Sequence, residues 1–464
     1  MKILLIRYLD KGNINTRLPD SINKAQGIYP PLGLAYIAAS LREAGYNVKI
    51  LDAQALNLTS SEARKIIHNE KADIIGITCM TSNFKGALEA AKFAKESNAI
   101  VVLGGPQITA YPKESISYPF IDYGILGEAE RSIINFVKAI QNKNFKALKK
   151  VKGLVYKTKN GIKINPPDII ENLDELPISA IDLLPLNKYD CVITEKPVLT
   201  MITSRGCPYQ CGFCFKQPSD KKYRMRNPKK VVDEIEEYIK KYHIKELLFY
   251  DDTLTLNRQH IVDICNEIIK RKIKIKWQSP TRIDRIDKPL LELMKKAGCR
   301  MLRYGVESGD EDILKLMNKG TSLERIKQVF KWTKEVGIST FAYFIIGYAK
   351  ENKDTIKKTI KFAKILNPDM VMFTIATPYP QTHLYKLAVE EGLVTGDYWK
   401  EFTLGKINKR LPYFVSDAKK WIKRAYLEFY FRPSFILKKL RTINSIDALK
   451  KNIRGALAIA LMSD

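Results

Sequence analysis

Three cysteines crowd into eight positions, Cys207, Cys211 and Cys214 in the segment RGCPYQCGFCFK, with the spacing Cys-x3-Cys-x2-Cys. Three thiolates on one tight loop suit three irons of a cubane 4Fe-4S cluster and leave the fourth iron open to a substrate or cofactor. Zinc is the main metal alternative, but a closed zinc site needs a fourth ligand, and no His lies within 20 residues of this loop. Gly206, Pro208 and Gly212 mark the segment as a loop, where three crowded but unligated cysteines would be odd. Cys79, Cys191, Cys265 and Cys299 are spaced by tens of residues, mostly in apolar contexts, and read as core thiols. His68, His243, His260 and His383 share no metal spacing and read as surface or packing residues.

The cysteine loop directly follows the apolar run VLTMITS. From about 196 to 395, that run and ELLFYDD, KIKWQSP, MLRYGVE, STFAYFIIG and MVMFTIA alternate with helix-period segments. Six such repeats predict a partial, TIM-like (β/α)6 barrel with its chemistry at the strand C-termini. Residues 1–145 carry an earlier alternation, with predicted strands at 2–7, 47–53, 72–78, 99–105 and 121–127. Between the first two, LGLAYIAASLREAG sets Leu34, Ile37, Ala38 and Leu41 on one helix face and stops at Gly45. The pattern predicts a doubly wound, Rossmann-like α/β domain, a class that binds ligands beyond the carboxyl ends of its strands. Those ends carry Pro30-Pro31, Asp52, Thr78 to Ser82, Gly104, Gly105, Pro106, Gly127 and Glu128. Residues 146–195, a hairpin turning at Asn160-Gly161 and then the Pro-rich NPPDIIENLDELPISAIDLLP, read as an interdomain connection. Residues 396–464 read as a helical tail, with Ile422, Tyr426 and Phe429 at helical spacing before Pro433.

At 464 residues the chain has room for about three units at ~150 each. With 45% hydrophobic and 28% charged residues it is neither collagen-like nor wholly disordered. No uncharged apolar run approaches the ~18 residues of a membrane span, and MKILLIRYLD reads as a strand followed closely by Asp10 rather than a secretory signal, so a cytoplasmic location is expected. Seven cysteines are too few for a secreted disulfide scaffold. The net charge of +28, from 78 basic and 50 acidic residues, is densest over 396–464, where 15 basic residues meet 6 acidic ones. A Lys-rich habit on solvated faces explains that as readily as a polyanion-binding surface. In the tail, KKWIKRAYLEFYFRPSFILKKLR mixes cations with Trp421, Tyr426, Phe429, Tyr430, Phe431 and Phe435. Such a segment could rest peripherally on an anionic membrane and pass a lipid substrate to the barrel. The plainer expectation is a helix that closes the barrel mouth.

The cluster loop after the first barrel strand, with Phe213 before its last cysteine, resembles that of the radical S-adenosylmethionine (SAM) superfamily. Further matches are Tyr250-Asp251-Asp252, Gly305-Val306-Glu307-Ser308-Gly309, Phe344-Ile345-Ile346-Gly347 and Thr377-Pro378-Tyr379-Pro380-Gln381-Thr382. The resemblance implies reductive cleavage of S-adenosylmethionine, bound at the open iron, to a 5′-deoxyadenosyl radical. It implies that Asp251 or Asp252 faces the methionine amino group, Glu307 and Ser308 the ribose and carboxylate, and Arg282 the carboxylate. Acidic groups suit an ammonium and an Arg suits a bidentate carboxylate. Gln381 stands where the family commonly has Gly, and Tyr348-Ala349-Lys350 replaces a Pro-Gly turn.

Residues 1–145 resemble the cobalamin-binding domain that precedes the barrel in one branch of that superfamily, through YPPLGLAYIAASLREAGYNVKILDA, ITCMTSNFKGALEAAKFAKE, VVLGGPQITAYPKE and GILGEAE. The resemblance implies that Asp52, Thr78, Ser82, Gly104, Gly105, Pro106, Gly127 and Glu128 surround cobalamin. The pattern Asp-x-His-x-x-Gly is absent, because Ala53 and Gln54 follow Asp52, and Gln107 replaces a His often found after Gly-Gly-Pro. The combination implies methyl transfer to an unactivated carbon or phosphorus centre of an unidentified small-molecule or lipid substrate, fed by a flavodoxin or ferredoxin. Cyclisation or rearrangement are the alternatives within the branch. A tRNA methylthiotransferase needs three further amino-terminal cysteines, and only Cys79 and Cys191 precede the loop, so no nucleic acid partner is expected. A non-catalytic corrinoid or redox sensor would need an output module, and neither a helix-turn-helix nor a coiled coil is evident.

Overall fold

Residues 1–10, 22, 27–189, 194–442 and 446–462 are described in the structure, a computed structural model. The first sheet holds β1 (Lys2–Arg7), β2 (Asn47–Asp52), β3 (Ile74–Thr78), β4 (Ile100–Gly104) and β5 (Tyr123–Ile125), in the parallel order β2-β1-β3-β4-β5. Ile3, Leu4, Leu5 and Ile6 are all buried, because helices cover both faces of a parallel sheet. Those helices are α1 (Leu32–Glu43), α2 (Ser60–Glu70), α3 (Phe84–Glu96) and α4 (Glu130–Gln141). Leu34, Ala38 and Leu41 of α1 are buried, and Gly45 follows with φ +85°, a left-handed turn that favours glycine.

The hairpin at Asn160-Gly161 forms, as β6 (Leu154–Thr158) and β7 (Gly161–Ile164), but it is not a free connection. β6 pairs antiparallel with β5 and extends the first sheet to seven strands, which covers the edge of a strand only three residues long. The Pro-rich stretch also packs back on this unit. Ala180 N–H donates to the Ala35 carbonyl (3.0 Å), and the Tyr189 hydroxyl donates to Asp52 Oδ2 (2.8 Å).

The second sheet is built from β8 (Val198–Met201), β11 (Glu246–Phe249), β12 (Lys276–Thr281), β13 (Cys299–Glu307), β14 (Ser339–Ile346) and β15 (Met370–Ile375), all parallel and in the order β15-β14-β13-β12-β11-β8. The ribbon β9 (Ser204–Arg205) with β10 (Arg224–Met225) brackets the cysteine loop. The outer helices are α5 (Pro228–Tyr242), α6 (Arg258–Lys270), α7 (Lys288–Lys296), α8 (Leu323–Glu335) and α9 (Lys353–Leu366). They bury alternate strand residues such as Leu302, Tyr304, Ala342 and Phe344. Cys265 and Cys299 lie in this core and Cys79 in the first unit's core; burial pushes the Cys79 and Cys265 thiols up to about 12. Cys191 lies outside the described residues. His260 is buried, its Nε2 3.1 Å from Thr203 Oγ1, and burial lowers its pKa to about 4.

After β15 comes α10 (His383–Glu390), and the tail forms α11 (Tyr398–Thr403), α12 (Ala418–Tyr430), α13 (Pro433–Thr442) and α14 (Ile446–Ala460). α12 closes the barrel's open edge: Ile422, Tyr426 and Phe429 are buried, while the Tyr426 and Tyr430 hydroxyls donate to the Phe373 and Val371 carbonyls of β15 at 3.2 and 2.7 Å. Among the described residues, no helix is long and apolar enough to cross a membrane.

The turn that departs from Pro-Gly is built around a buried acid. Gly347 and Tyr348 N–H donate to Glu351 Oε2 at 2.6 and 2.9 Å, Oε1 has no hydrogen-bond partner, and burial pushes the carboxyl up to about 7. The folded chain therefore keeps a proton that the unfolded chain, with an ordinary Glu near ~4.3, releases. The resulting stability is present in acid and is lost as pH rises through about 7. Glu351→Gln, which keeps an acceptor and cannot ionise, should be more stable than the parent at pH 8, with the difference closing near pH 4 in urea titrations. A pH-independent difference would refute the assignment.

Candidate functional site

β8 delivers the chain to Arg205, and the loop beyond it is held from every side. Gly206 has φ +94°, and a Cβ there would run into the Lys222 carbonyl oxygen. Its N–H donates to Asp252 Oδ2 (2.9 Å), and Cys207 N–H donates to the Asp220 carbonyl (2.8 Å). Gly212 N–H donates to the Met317 carbonyl and its carbonyl accepts from Leu384 N–H, both at 2.8 Å, while the Tyr348 hydroxyl and His383 ring leave no room for a side chain at that position. Backbone this constrained presents its side chains in one arrangement.

Cys207, Cys211 and Cys214 are free thiols, buried, half-buried and exposed respectively. Arg282 Nη1 donates to Cys211 Sγ (3.4 Å) and Thr253 Oγ1 to Cys207 Sγ (3.7 Å), while burial pushes the Cys214 thiol up against the opposing pull of the Lys216 ammonium. Hydrogen bonds and nearby cations stabilise thiolate over thiol, the form that binds iron. Among the described residues, no three ligating side chains are gathered as for a single ion. Three unpaired thiols, two with donors and one beside a cation, fit an iron–sulfur cluster by the chemistry of the donor set.

The structure distributes the other barrel residues unevenly around this loop. Asp252 is exposed beside it. Arg282 reaches it but is already engaged: it stacks 3.5 Å over the Tyr209 ring, and it donates to Asp284 Oδ1 (2.8 Å) and the Lys319 carbonyl (2.5 Å). Glu307, at φ +70°, pairs with Lys319 (2.8 Å), whose ammonium lies 5.9 Å from the Phe213 ring. Asp251 and Ser308 lie deeper. Asp251 Oδ1 accepts from Thr203 N–H (3.0 Å), Thr203 Oγ1 (2.9 Å) and Ser204 Oγ (2.6 Å), and burial pushes its carboxyl up to about 6. Ser308 Oγ accepts from Asp310 N–H (3.2 Å) and is fully buried. Gln381 adopts φ +60°, a left-handed conformation that favours glycine, and its Nε2 donates to the Ala110 carbonyl of the first unit (3.0 Å). Lys319 and Tyr209 were not singled out from sequence; Tyr209 lies inside the cysteine loop, but Lys319 gave no local signal.

A cleft of about 410 Å³ lies between the strand ends of the first sheet and this loop. Thr78, Gly104, Gly105, Pro106, Gly127 and Glu128 line it, as the sequence pattern leads one to expect. Asp52 and Ser82 do not. Asp52 is fully buried between Arg7 (3.1 Å) and Tyr189, bracing the sheet, and Ser82 lies in a one-turn 3-10 helix outside the lining. Gln107 is also absent from the lining; it is buried, and its Nε2 donates to Thr403 Oγ1 (2.8 Å). The wall is largely aliphatic, and a Cβ at Gly33 or Gly104 would meet nothing within 4 Å. Glu130 also lines the cleft, with Oε2 buried and without a hydrogen-bond partner. Flat, glycine-opened apolar walls with an orphaned acceptor fit a large ring edged with amide donors, which is what cobalamin is.

One ion cluster ties the halves together. Arg224 donates to both oxygens of Glu128 at 2.8 Å, and Arg205 lies 3.4 Å from Glu128 and 2.6 Å from Glu130. Burial would push the Glu128 carboxyl up, but these guanidinium groups hold it below its ordinary value.

The family model of the Radical SAM superfamily matches residues 201–363, and that of the B12 binding domain matches residues 20–137. The chain is 36% identical over 436 residues to the "Uncharacterized methyltransferase PH0819" of Pyrococcus horikoshii, covering 93% of this chain and 94% of that one. It is 33% identical over 401 residues to the anaerobic magnesium-protoporphyrin IX monomethyl ester cyclase of Rubrivivax gelatinosus, covering 84% and 71%. Among solved structures, the radical SAM methyltransferase TsrM of Kitasatospora setae with cobalamin and a [4Fe-4S] cluster superposes with a TM-score of 0.68 at 19% identity, over 86% of this chain and 79% of that one. The cobalamin-dependent radical enzyme OxsB, with aqua-cobalamin and S-adenosylmethionine bound, gives 0.69 at 19% identity, over 99% and 71%. With the two family matches falling on the two sheets that meet at the cysteine loop, and with identity running along nearly the whole chain, the protein belongs to the radical SAM enzymes that carry an amino-terminal cobalamin-binding domain.

Proposed function

We propose that this radical SAM enzyme transfers a methyl group to an unactivated carbon. The single observation behind this reading is the position of the glycine-lined cleft against the flanks of the cysteine loop, lined by Arg205 and Gln217 on either side of it and by Asp252, which accepts from Gly206 N–H. When loaded, the site would supply an electron from a 4Fe-4S cluster for cleavage of S-adenosylmethionine and a methyl group carried by cobalamin. Cys207, Cys211 and Cys214 hold the cluster, and Arg282 and Thr253 donate to two of their sulfurs. Asp252 lies beside the loop, where its carboxylate suits the substrate ammonium, and Glu307, kept in place by Lys319, suits ribose hydroxyls. Asp251 and Ser308 support these positions from behind. The aliphatic cleft excludes water from reactive carbon. A low-potential flavodoxin or ferredoxin is the fitting electron donor, since such donors are commonly acidic and this chain carries +28.

The similarity to the cyclase of R. gelatinosus favours oxidative cyclisation as a second reading. The two differ in product: methyl transfer adds one carbon to the acceptor, and cyclisation adds none.

α13 and α14 leave apolar residues exposed, Leu437 at 55%, Leu457 at 54% and Leu461 just beyond α14 at 74%, flanked by Lys438, Lys450 and Arg454. We infer that this face rests on an anionic bilayer, while α12 closes the barrel.

Three measurements test these readings. Cys211→Ala, reconstituted anaerobically with iron and sulfide, should form no 5′-deoxyadenosine, and turnover in that variant would overturn the radical mechanism. Gly104→Trp should weaken hydroxocobalamin binding at least tenfold without changing iron content, against one cobalt per four irons in the parent; unchanged cobalt would remove the cleft as the corrinoid site. The chain should sediment with phosphatidylglycerol vesicles at low salt and be released as salt rises. An unbound chain at low salt would end the membrane reading.

A further inference from the structure

Tyr348 is fully buried, and among the described residues its hydroxyl has no hydrogen-bond partner. A hydroxyl taken out of water and left unpaired costs free energy, so its presence calls for a reason. The ring packs with Ile313, Met317, Ala376 and Leu384, all apolar and buried. The hydroxyl lies against the cysteine loop: a Cβ on Gly212, the residue after Cys211, would sit 2.6 Å from Tyr348 Oη. Burial raises the pKa of this phenol and the charge of Cys211 raises it further, so the group keeps its proton and is a donor with an anion beside it. The loop backbone there is already committed. Gly212 N–H donates to the Met317 carbonyl, the Gly212 carbonyl accepts from Leu384 N–H, and the Cys211 carbonyl accepts from Cys214 N–H at 3.0 Å. The His383 ring also borders Gly212, and no hydrogen bond joins it to the hydroxyl. The turn fixes the tyrosine in place. Its N–H donates to Glu351 Oε2 and its carbonyl accepts from Glu351 N–H at 3.1 Å; a proline at this position would have no N–H to give.

We propose that the Tyr348 hydroxyl donates a hydrogen bond to a sulfur of the 4Fe-4S cluster on its Cys211 side, and thereby makes the cluster easier to reduce. Reduction adds a negative charge to the cluster, and a donor at its sulfur stabilises the more negative state. The apolar surroundings of the ring strengthen that preference, because little else there screens the charge. Arg282 Nη1 donates to Cys211 Sγ as well, so this corner carries two donors. Methyl transfer and cyclisation both need the cluster, so the inference does not depend on which of them the enzyme performs.

Redox titration of the full-length protein, reconstituted anaerobically with iron and sulfide and followed by electron paramagnetic resonance, tests this. Tyr348→Phe removes the oxygen alone. At the midpoint potential of the parent, its ratio of reduced to oxidised cluster should fall at least threefold, where tenfold is ~59 mV for one electron. 3-Fluorotyrosine at position 348, a more acidic phenol and a stronger donor, should raise the ratio above that of the parent, and it carries the test by itself should the phenylalanine variant hold no cluster. Tyr304→Phe removes a barrel hydroxyl that pairs with Thr333 Oγ1 (2.9 Å) and should leave the ratio unchanged. Without iron, Tyr348→Phe should resist urea at least as well as the parent, because the lost hydroxyl pairs with nothing in the chain. An unchanged ratio in Tyr348→Phe, an unchanged or lower ratio with fluorotyrosine, an equal fall in Tyr304→Phe, or a less stable iron-free Tyr348→Phe would each overturn the proposal. Iron content and 5′-deoxyadenosine formed by the parent report on the cluster and the radical reading separately, so failure of one is told from failure of the other.

Discussion

The buried contact of Arg205 and Arg224 with Glu128 and Glu130 sets the distance between the two chemistries of this protein. The arginines sit opposite each other on the ribbon that brackets the cysteine loop, and the glutamates leave the first sheet just beyond β5. Side by side, two guanidinium groups repel; with Glu128 between them they become the joint between barrel and first unit. All four side chains are at most 15% exposed. Removing one partner from such a buried set costs ~3–5 kcal/mol because the charge left behind has nowhere to go. The joint is therefore rigid, and because Arg205 directly precedes Gly206, rigidity at the joint becomes rigidity at the loop.

The same logic explains how so many weak contacts converge on eight residues. A cluster held by three thiolates leaves one corner open, and what binds there must meet the cleft at a fixed height. Gly206 brings the chain against the Lys222 carbonyl, Gly212 brings it against Tyr348, and Arg282 stacks on Tyr209 while touching Cys211. Each hydrogen bond to the loop is worth ~1 kcal/mol, and together with the close packing they restrict where the sulfurs can lie. Preorganisation of this kind lets the free energy of cofactor binding go into affinity rather than into ordering the loop.

What was legible in the sequence was whatever is encoded locally. The cysteines share one loop, and the strands of both sheets are apolar runs whose burial needs no distant partner to recognise, so their limits fall within a few residues of those predicted. Gly104, Gly105 and Gly127 were readable for the same reason, since a strand end in a parallel sheet already faces the ligand side. Asp52 stands at such an end too, yet its partners Arg7 and Tyr189 lie 45 and 137 residues away, and they turn it inward. The hairpin at Asn160-Gly161 announced its turn but not its neighbour: pairing with β5 is a non-local fact. Lys319 was invisible because its meaning comes only from Glu307, across a strand end and a helix. In the tail, helical spacing revealed the buried face of α12, whereas the exposed leucines of α13 and α14 depend on what those helices do not touch.

The open barrel leaves space that a closed one would fill. A closed eight-stranded barrel fills its interior with side chains, so its chemistry is confined to the rim. Six strands leave two edges, β8 and β15, and a lumen with room inside. An unpaired edge invites aggregation and leaves backbone groups unsatisfied. Here the Tyr426 and Tyr430 hydroxyls accept from Phe373 and Val371 N–H and donate to the carbonyls of the same residues, so α12 satisfies β15 without adding a strand. A seventh strand would have used those groups equally well but would have narrowed the lumen. The tyrosines cap the edge from the side, and α13 and α14 then roof the space that the missing strands vacate. The space inside the open sheet is therefore a consequence of how the edge is capped, and the tail shapes the barrel as much as its last strand does.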